Sequence, residues 1–221
     1  MFLNEGVSVR CNVGCGQTPT VGWRNFDNSL SLKLASIPWL PGILSSCRVI
    51  NRSQYEYMRF AQTHSLEYGD VTKGLPLQTG SVDVLYSSHM LEHLDGDEAT
   101  LFLDEARRVL RLGGIIRLAV PDISKYVDAY VVSKDADAFI ASTHLSQARP
   151  KTISDRVRLL LVGTRHHQWM YDGRSLSQLL LLRKFKDIRI QPPGKTMIEN
   201  PGALDLHERF DESVYLEARK L

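Results

Sequence analysis

No run of apolar residues in this chain is long enough to cross a bilayer, and its first residues meet charge at Glu5 and Arg10. Neither a membrane span nor a secretory signal is therefore expected. Cysteine is scarce: Cys11, Cys15 and Cys47 are too few and too unevenly spaced for a disulfide framework, which points to a reducing, cytoplasmic setting. Cys11 and Cys15 lack the second pair that would complete a metal site, so they read as small buried hydrophobes. Neither charge dominates. A formal net charge of +2 is too mild to attract nucleic acid or an anionic membrane. What is present suits a soluble protein with a real core, 43% hydrophobic and 24% charged, and the 221 residues suit one domain over 1–221.

Two further absences lie beside the most informative stretch, Val7-Ser8-Val9-Arg10-Cys11-Asn12-Val13-Gly14-Cys15-Gly16. Val7, Val9, Cys11 and Val13 alternate with polar residues, the period of a strand. Gly14 and Gly16 then permit a sharp turn that can lie close against a flat or anionic ligand. Residues 17–23, with Pro19, Gly22 and two threonines, make poor helix. Trp23-Arg24-Asn25-Phe26-Asp27 reads as a second short strand ending in a carboxylate, where a dinucleotide-binding unit holds ribose hydroxyls. Asp27 follows Gly14 by only 13 residues, whereas about 20 separate the two in the dinucleotide fingerprint. Missing, then, are the crossover helix that would hold a pyrophosphate and the third glycine that accompanies it. A ligand with a ribose and no phosphate suits what is left.

Residues 30–64 read as an insertion covering the domain edge in preference to a substrate lid. It contains a loop at Ile37-Pro38-Trp39-Leu40-Pro41-Gly42 and a helix over 51–62 that part-buries Tyr55, Met58 and Phe60. Beyond it, 66–71 ends near Asp70, Leu75-Pro76-Leu77 is a turn, and 81–88 is a compact strand. Short strands closing on small polar or acidic residues suggest a parallel sheet with its ligand at the strands' carboxyl ends. Gly14, Asp27, Asp70 and Ser87 converge there. Asp95 or Asp97 caps the next helix, whose apolar face is Leu101, Phe102, Ala106, Val109 and Leu110, and Gly113-Gly114 is expected to stop it. Residues 115–120 make a fifth strand closed by Pro121-Asp122, and Asp122 is a candidate acid–base or binding group. A mainly helical elaboration over about 123–170 follows, with Tyr126, Tyr130, Phe139 and Leu159-Leu160-Leu161 on apolar faces. A helix over 175–185 and strands at 187–191 and 214–220 complete the chain, and the loop 192–211 is a place for specificity.

The order of these segments resembles the class I S-adenosylmethionine-dependent methyltransferases. The likeness rests on Asn12-Val13-Gly14-Cys15-Gly16, Trp23-Arg24-Asn25-Phe26-Asp27, Gly69-Asp70-Val71, the stretch 81–94 and Arg108-Val109-Leu110-Arg111-Leu112-Gly113-Gly114. It continues through His167-Gln168-Trp169-Met170-Tyr171-Asp172 to the C-terminal strand. More narrowly, the chain is similar to a methyltransferase type 11-like subgroup with a shortened first helix, some members of which are linked to surface-polysaccharide assembly. The resemblance implies a Rossmann-like α/β fold, doubly wound about a mostly parallel seven-strand sheet with an antiparallel last strand. It also implies S-adenosyl-L-methionine as cofactor. Gly14, Cys15 and Gly16 would lie against its methionine part, Asp27 on the ribose hydroxyls, Asp70 on the adenine amino group with Val71 against the ring, and Ser87 and Ser88 beside the sulfonium. Asn12 stands where many members carry an acid, so it can bond the cofactor's ammonium without neutralising it. The Thr18-Pro19 region replaces a third glycine, and Leu112 a common proline. The implied partner is a small-molecule acceptor, with a sugar-derived one preferred.

His89-Met90-Leu91-Glu92-His93 also matches H-x-x-E-H, a zinc-peptidase pattern in which two histidines share a metal and the glutamate is the base. Its place directly after a strand ending in Ser87-Ser88 speaks against that reading, and no metal is expected. His89, nearer the strand end, is a better functional candidate than His93. His166 and His167 project differently from adjacent positions and so do not suit a joint metal site; one of them, or Tyr171, is placed to line an acceptor pocket. A sulfonium methyl is already activated, so positioning supplies much of the catalysis and a base is needed only for a weakly acidic acceptor. His89, His166, His167 and Asp122 are the candidates. Two rivals remain: a nicotinamide-dependent dehydrogenase, disfavoured by the missing glycine and crossover helix, and a non-enzymatic module that keeps the fold without its cofactor.

Overall fold

The computed structural model describes residues 8–145 and 166–221. Its sheet contains β1 (Arg10–Val13), β2 (Arg24–Asp27), β3 (Glu67–Tyr68), β4 (Val82–Ser88), β5 (Leu110–Pro121), β6 (Phe185–Gln191) and β7 (Ser213–Lys220). The strand order is β3-β2-β1-β4-β5-β7-β6. Neighbours from β3 to β5 pair in parallel, while β7 runs antiparallel to both β5 and β6. Six strands thus share one direction and the last is reversed, as the sequence suggests. The chain steps outward from β1 to β3 and then returns to β1's other side for β4, which opens a crevice at the carboxyl ends of β1 and β4.

Parallel strands β1 and β2 are joined by only residues 14–23, with no crossover helix. Two buried asparagines support this connection instead. The Asn12 amide donates to the Thr18 carbonyl (3.1 Å) and to Thr20 Oγ1 (3.2 Å). Asn25 accepts from the Thr20 N–H (2.7 Å) and donates to the carbonyls of Thr20 (3.1 Å) and Trp23 (2.8 Å). Lacking helix or ladder, the connection satisfies part of its backbone through these two buried amides.

The helices are α1 (Leu30–Ala35), α2 (Leu40–Ser46), α3 (Arg52–Thr63), α4 (Gly96–Val109), α5 (Ile123–Ser133), α6 (Ala136–Thr143) and α7 (Gly173–Leu182). No helix among the described residues is long and apolar enough to cross a membrane. In α4, Asp95 accepts from the N–H groups of Asp97 and Glu98, and the Glu98 carboxylate returns to the Asp95 N–H. Ala99, Phe102, Leu103, Ala106 and Val109 then form the buried stripe that packs with Val13, Leu85 and Ile116 in the main core. Leu101 lies off that stripe and is 51% exposed, contrary to expectation. A second core on the other face joins Val84, Tyr86, Ala119 and Tyr215 to Ile198 and Leu204 of the loop before β7. The segment 30–64 builds its own small core from Leu32, Ala35, Ile50, Met58 and Ala61.

Three expected boundaries move. Gly113-Gly114 does not stop α4: the helix ends at Val109, β5 starts at Leu110, and the glycines lie in a bulge. Leu110 opposes Val82 and Ile115 opposes Val84, so 111–114 must loop out, and Gly113 adopts φ +77° to do it. Leu40-Pro41-Gly42 opens α2, because proline in a first turn sacrifices no helical hydrogen bond. Phe185 leaves its expected helix to begin β6, where it is fully buried. The helical elaboration appears as α5 and α6, and Leu159-Leu160-Leu161 lie outside the described residues.

On β5 and β7, Arg117 and Glu217 are directly opposite and wholly buried, with an ion pair of 2.7 Å. Glu217 also accepts from Thr196 Oγ1, the Met197 N–H and Gln191 Nε2, and Arg117 donates to the Lys195 carbonyl. The pair therefore fastens residues 195–197 to the sheet. Removing one partner of a buried pair strands the other charge, at about 3–5 kcal/mol. Glu217→Ala should lose that much in urea unfolding, while Arg117→Met combined with Glu217→Leu should recover much of it. An unchanged midpoint for Glu217→Ala would remove the pair from this role.

Acid should act through Glu105 and Asp172. The Arg108 hydrogen bonds hold Glu105 below its ordinary 4.5 against the opposing effect of burial, and the Ser175 N–H and hydroxyl hold Asp172 low. A depressed folded-state pKa means that the unfolded chain binds the proton more readily. The contribution of these groups is complete above about pH 5 and is lost as pH falls through their folded values. Tm should therefore drop between about pH 5 and 2, and Glu105→Gln should flatten that fall.

Candidate active site

At the end of β1, Gly14 and Gly16 adopt φ of +70° and +50°. The N–H groups of Gly14 and Cys15 both donate to the Phe26 carbonyl, at 2.9 and 3.1 Å, which ties the turn to the end of β2. The Gly16 N–H then reaches Asp27 Oδ2 (3.2 Å). Asp27 Oδ1 accepts from the Ser29 N–H (2.8 Å) and the Tyr57 hydroxyl (3.3 Å). Glycine turn and carboxylate are thus in direct contact. A Cβ at Gly16 would meet nothing within 4 Å. At Gly14 it would collide with the Met90 side chain, so this glycine's missing side chain makes room for Met90 and not, as expected, for a ligand.

Asn12 is buried with both amide hydrogens engaged by the 18–20 segment, which leaves its carbonyl oxygen as the group that can meet an ammonium. Burial, reinforced by the Asp27 charge, pushes the Cys15 thiol up to about 12, so it is neutral and no nucleophile. Asp70 follows β3, whose partner is the strand carrying Asp27. Burial would raise its pKa, but hydrogen bonds from Lys73 and Thr72 outweigh that and hold it low, so the carboxylate is charged. Val71, expected against an adenine ring, packs into the main core, which leaves mainly its backbone for such a contact. Ser87 pairs with Val13, immediately before the glycine turn. The Ser87 and Ser88 hydroxyls are buried and have no hydrogen-bond partner among the described residues. Such orphaned groups mark a place where a polar ligand or water belongs.

The other end of the crevice is rich in histidine. His89 leaves β4 with φ +48°, and its N–H donates to the Ala119 carbonyl. Its Nε2 lies 2.7 Å from Ser213 Oγ, and its Nδ1 3.1 Å from the Arg209 guanidinium and 3.4 Å from Glu92 Oε1. Residues Leu91–His93 form a single 3-10 turn, not the α-helix a zinc peptidase needs, so His89 and His93 do not form its pair. Glu92 meets His167 instead, Nε2 to Oε1 being 3.9 Å. The His167 ring lies 5.1 Å from that of His93 and 5.5 Å from that of His144. Burial lowers the pKa of His167, partly opposed by the Glu92 charge, and pushes the Tyr171 hydroxyl up to about 12. His166 enters through its carbonyl, which is 3.0 Å from His93 Nδ1. Asp122 is a correction: its carboxylate caps α5 by accepting from the Ser124 N–H and hydroxyl, so it is poorly placed to act as a base.

Sequence reasoning missed Tyr57, Arg209 and Ser213, and saw Glu92 only within the peptidase pattern. Glu92 carries a signal, an acid between Leu91 and Leu94 just after a buried strand. Tyr57 adjoins the inward-facing Met58. Arg209 and Ser213 come from a loop and a strand start with no local signature.

A family model described as a methyltransferase domain matches residues 40–118. Among solved structures, an S-adenosylmethionine-dependent methyltransferase of Thermotoga maritima, named as a possible histamine N-methyltransferase, is similar over 97% of this chain and 83% of its own. That match has a TM-score of 0.52 at 12% identity. A second such methyltransferase, from Methanosarcina mazei, is similar over 96% of this chain and 92% of its own, with a TM-score of 0.50 at 14% identity. At these identities the structures speak for the fold alone. No curated protein matches the sequence. A methyltransferase-domain match thus spans residues 40–118, and the sheet has the architecture of the two methyltransferases to which the chain is similar.

Proposed function

We propose that the chain methylates a small acceptor bound over the carboxyl ends of β4 and β5, and that a sugar-derived hydroxyl is the preferred class. The observation that carries the reading is the contact between Asp27 and the Gly16 N–H beside open space at the turn. The residues fit the cofactor: Asp27 can take the ribose hydroxyls, the Asn12 carbonyl oxygen the ammonium, Asp70 the adenine amino group, and the orphaned Ser87 and Ser88 hydroxyls border the reacting end. When bound, S-adenosylmethionine supplies a methyl group already activated for displacement. The chain's own residues must then orient the acceptor, exclude water and, for a hydroxyl, receive its proton. His89 suits that last task. It stands at the end of β4, with Nδ1 3.4 Å from Glu92 Oε1 and Nε2 2.7 Å from Ser213 Oγ. Trp169, exposed and bonded through its N–H to the Glu92 carbonyl, offers a ring face for a sugar's C–H groups.

The first test is thermal unfolding with S-adenosylmethionine, S-adenosylhomocysteine or NAD. Either sulfur nucleoside at about 100 times its Kd should add roughly 2.7 kcal/mol to the folded state, and Asp27→Ala should abolish the shift. Stabilisation by NAD alone would sink the reading. With a hydroxyl acceptor, His89→Ala should lower kcat by about 10²–10⁴ and leave cofactor affinity unchanged. Full turnover of that variant would take the base role from His89.

A further inference from the structure

Glu92 is fully buried, and neither of its carboxylate oxygens has a hydrogen-bond partner among the described residues. A carboxylate so removed from water needs a proton, a counter-charge or a metal ion to offset its desolvation. The groups facing it are imidazoles: His89 and His167 lie 3.4 and 3.9 Å from Oε1. One ligand atom from each of Glu92, His93 and His167 falls within 4.8 Å of the other two.

His93 keeps one ring nitrogen free to act as a ligand. Its Nδ1 lies 3.0 Å from the His166 carbonyl, which can only accept, so Nδ1 carries the proton and Nε2 keeps its lone pair. A backbone carbonyl in this position is what fixes the tautomer of many metal-bound histidines. The three residues are also brought together without an ion. The Gln168 and Trp169 N–H groups donate to the Glu92 carbonyl at 2.7 and 3.2 Å, and Gln168 Nε2 donates to the His93 carbonyl at 2.8 Å. These bonds clamp two distant parts of the chain and prepare the donor set.

We propose that Glu92, His93 and His167 bind a divalent transition-metal ion. Zinc is the first choice for two imidazoles and one carboxylate, a set that leaves a coordination position open. This is not the H-x-x-E-H arrangement, because His89 is directed to Ser213 and His167 takes its place. Beside His89 and Tyr171, the ion would bind an acceptor oxygen and lower its pKa. That role rests on the methyltransferase reading; metal binding itself does not.

The test uses the full chain, stripped of metal by chelation and free of cofactor, titrated with zinc alone against a chromophoric chelator. One zinc per chain should be retained through dialysis and should raise Tm. Glu92→Gln and His167→Ala should each bind at least about tenfold more weakly. Glu92→Gln adds a readout that a merely structural residue would not give. Without metal it removes a buried charge, so its Tm should match or exceed the parent's, yet zinc should no longer raise it. Zinc bound equally well by parent and variants, or retained by none of them, overturns the site. Binding of S-adenosylmethionine to the same stripped protein is measured separately; its absence would count against the proposed acceptor chemistry and leave the metal site intact.

Discussion

The turn after β1 hangs from a single carbonyl, that of Phe26, which receives the N–H groups of both Gly14 and Cys15. Because β1 and β2 are parallel and their connection is short, the chain has no helix on which to lean while it crosses back beneath the sheet. The bonds to Phe26, with Asn12 and Asn25 holding the middle of the loop, do that work. They also bring Gly16 and Asp27 together at the crevice. An acid at position 12 could not donate to Thr18 and Thr20, so the asparagine there follows from the shortened connection as much as from any ligand.

The far half of the sheet depends on a different constraint. Its reversed strand places Arg117 against Glu217, and that pair gathers residues 195–197 over the second core. Farther along the same loop, Arg209 reaches His89, and β7 opens with Ser213, which meets His89 Nε2. The glycine-turn end is thus organised by backbone bonds and amides, and the opposite end by a buried ion pair and the loop it fastens. His89 stands where these two halves meet.

Much of the glycine-turn end was legible in the sequence because its parts are local. Alternation gave β1, glycine spacing gave the turn, and a carboxylate closing a short strand gave Asp27. The expectations for Asp122 and Gly113-Gly114 failed for equally local reasons. An aspartate two residues before a serine can cap a helix, and two glycines can form a bulge as readily as a stop. The histidine cluster was illegible for a different reason. Glu92 and His167 are 75 positions apart and are joined by backbone hydrogen bonds that leave no pattern in the side chains. Tyr57 fell between the two cases: its helix was expected, but not that its hydroxyl would reach Asp27.

The block formed by α1, α2 and α3 keeps a hydrophobic core of its own and meets Asp27 through the hydroxyl of Tyr57 and the Ser29 N–H that precedes α1. Such a block is close to a replaceable part. Its size and outer surface can drift or be exchanged without repacking the sheet, provided that a donor still arrives at the carboxylate. The same economy of contact makes it a natural reporter, since a ligand seated on Asp27 competes for the one hydroxyl through which α3 reaches the crevice.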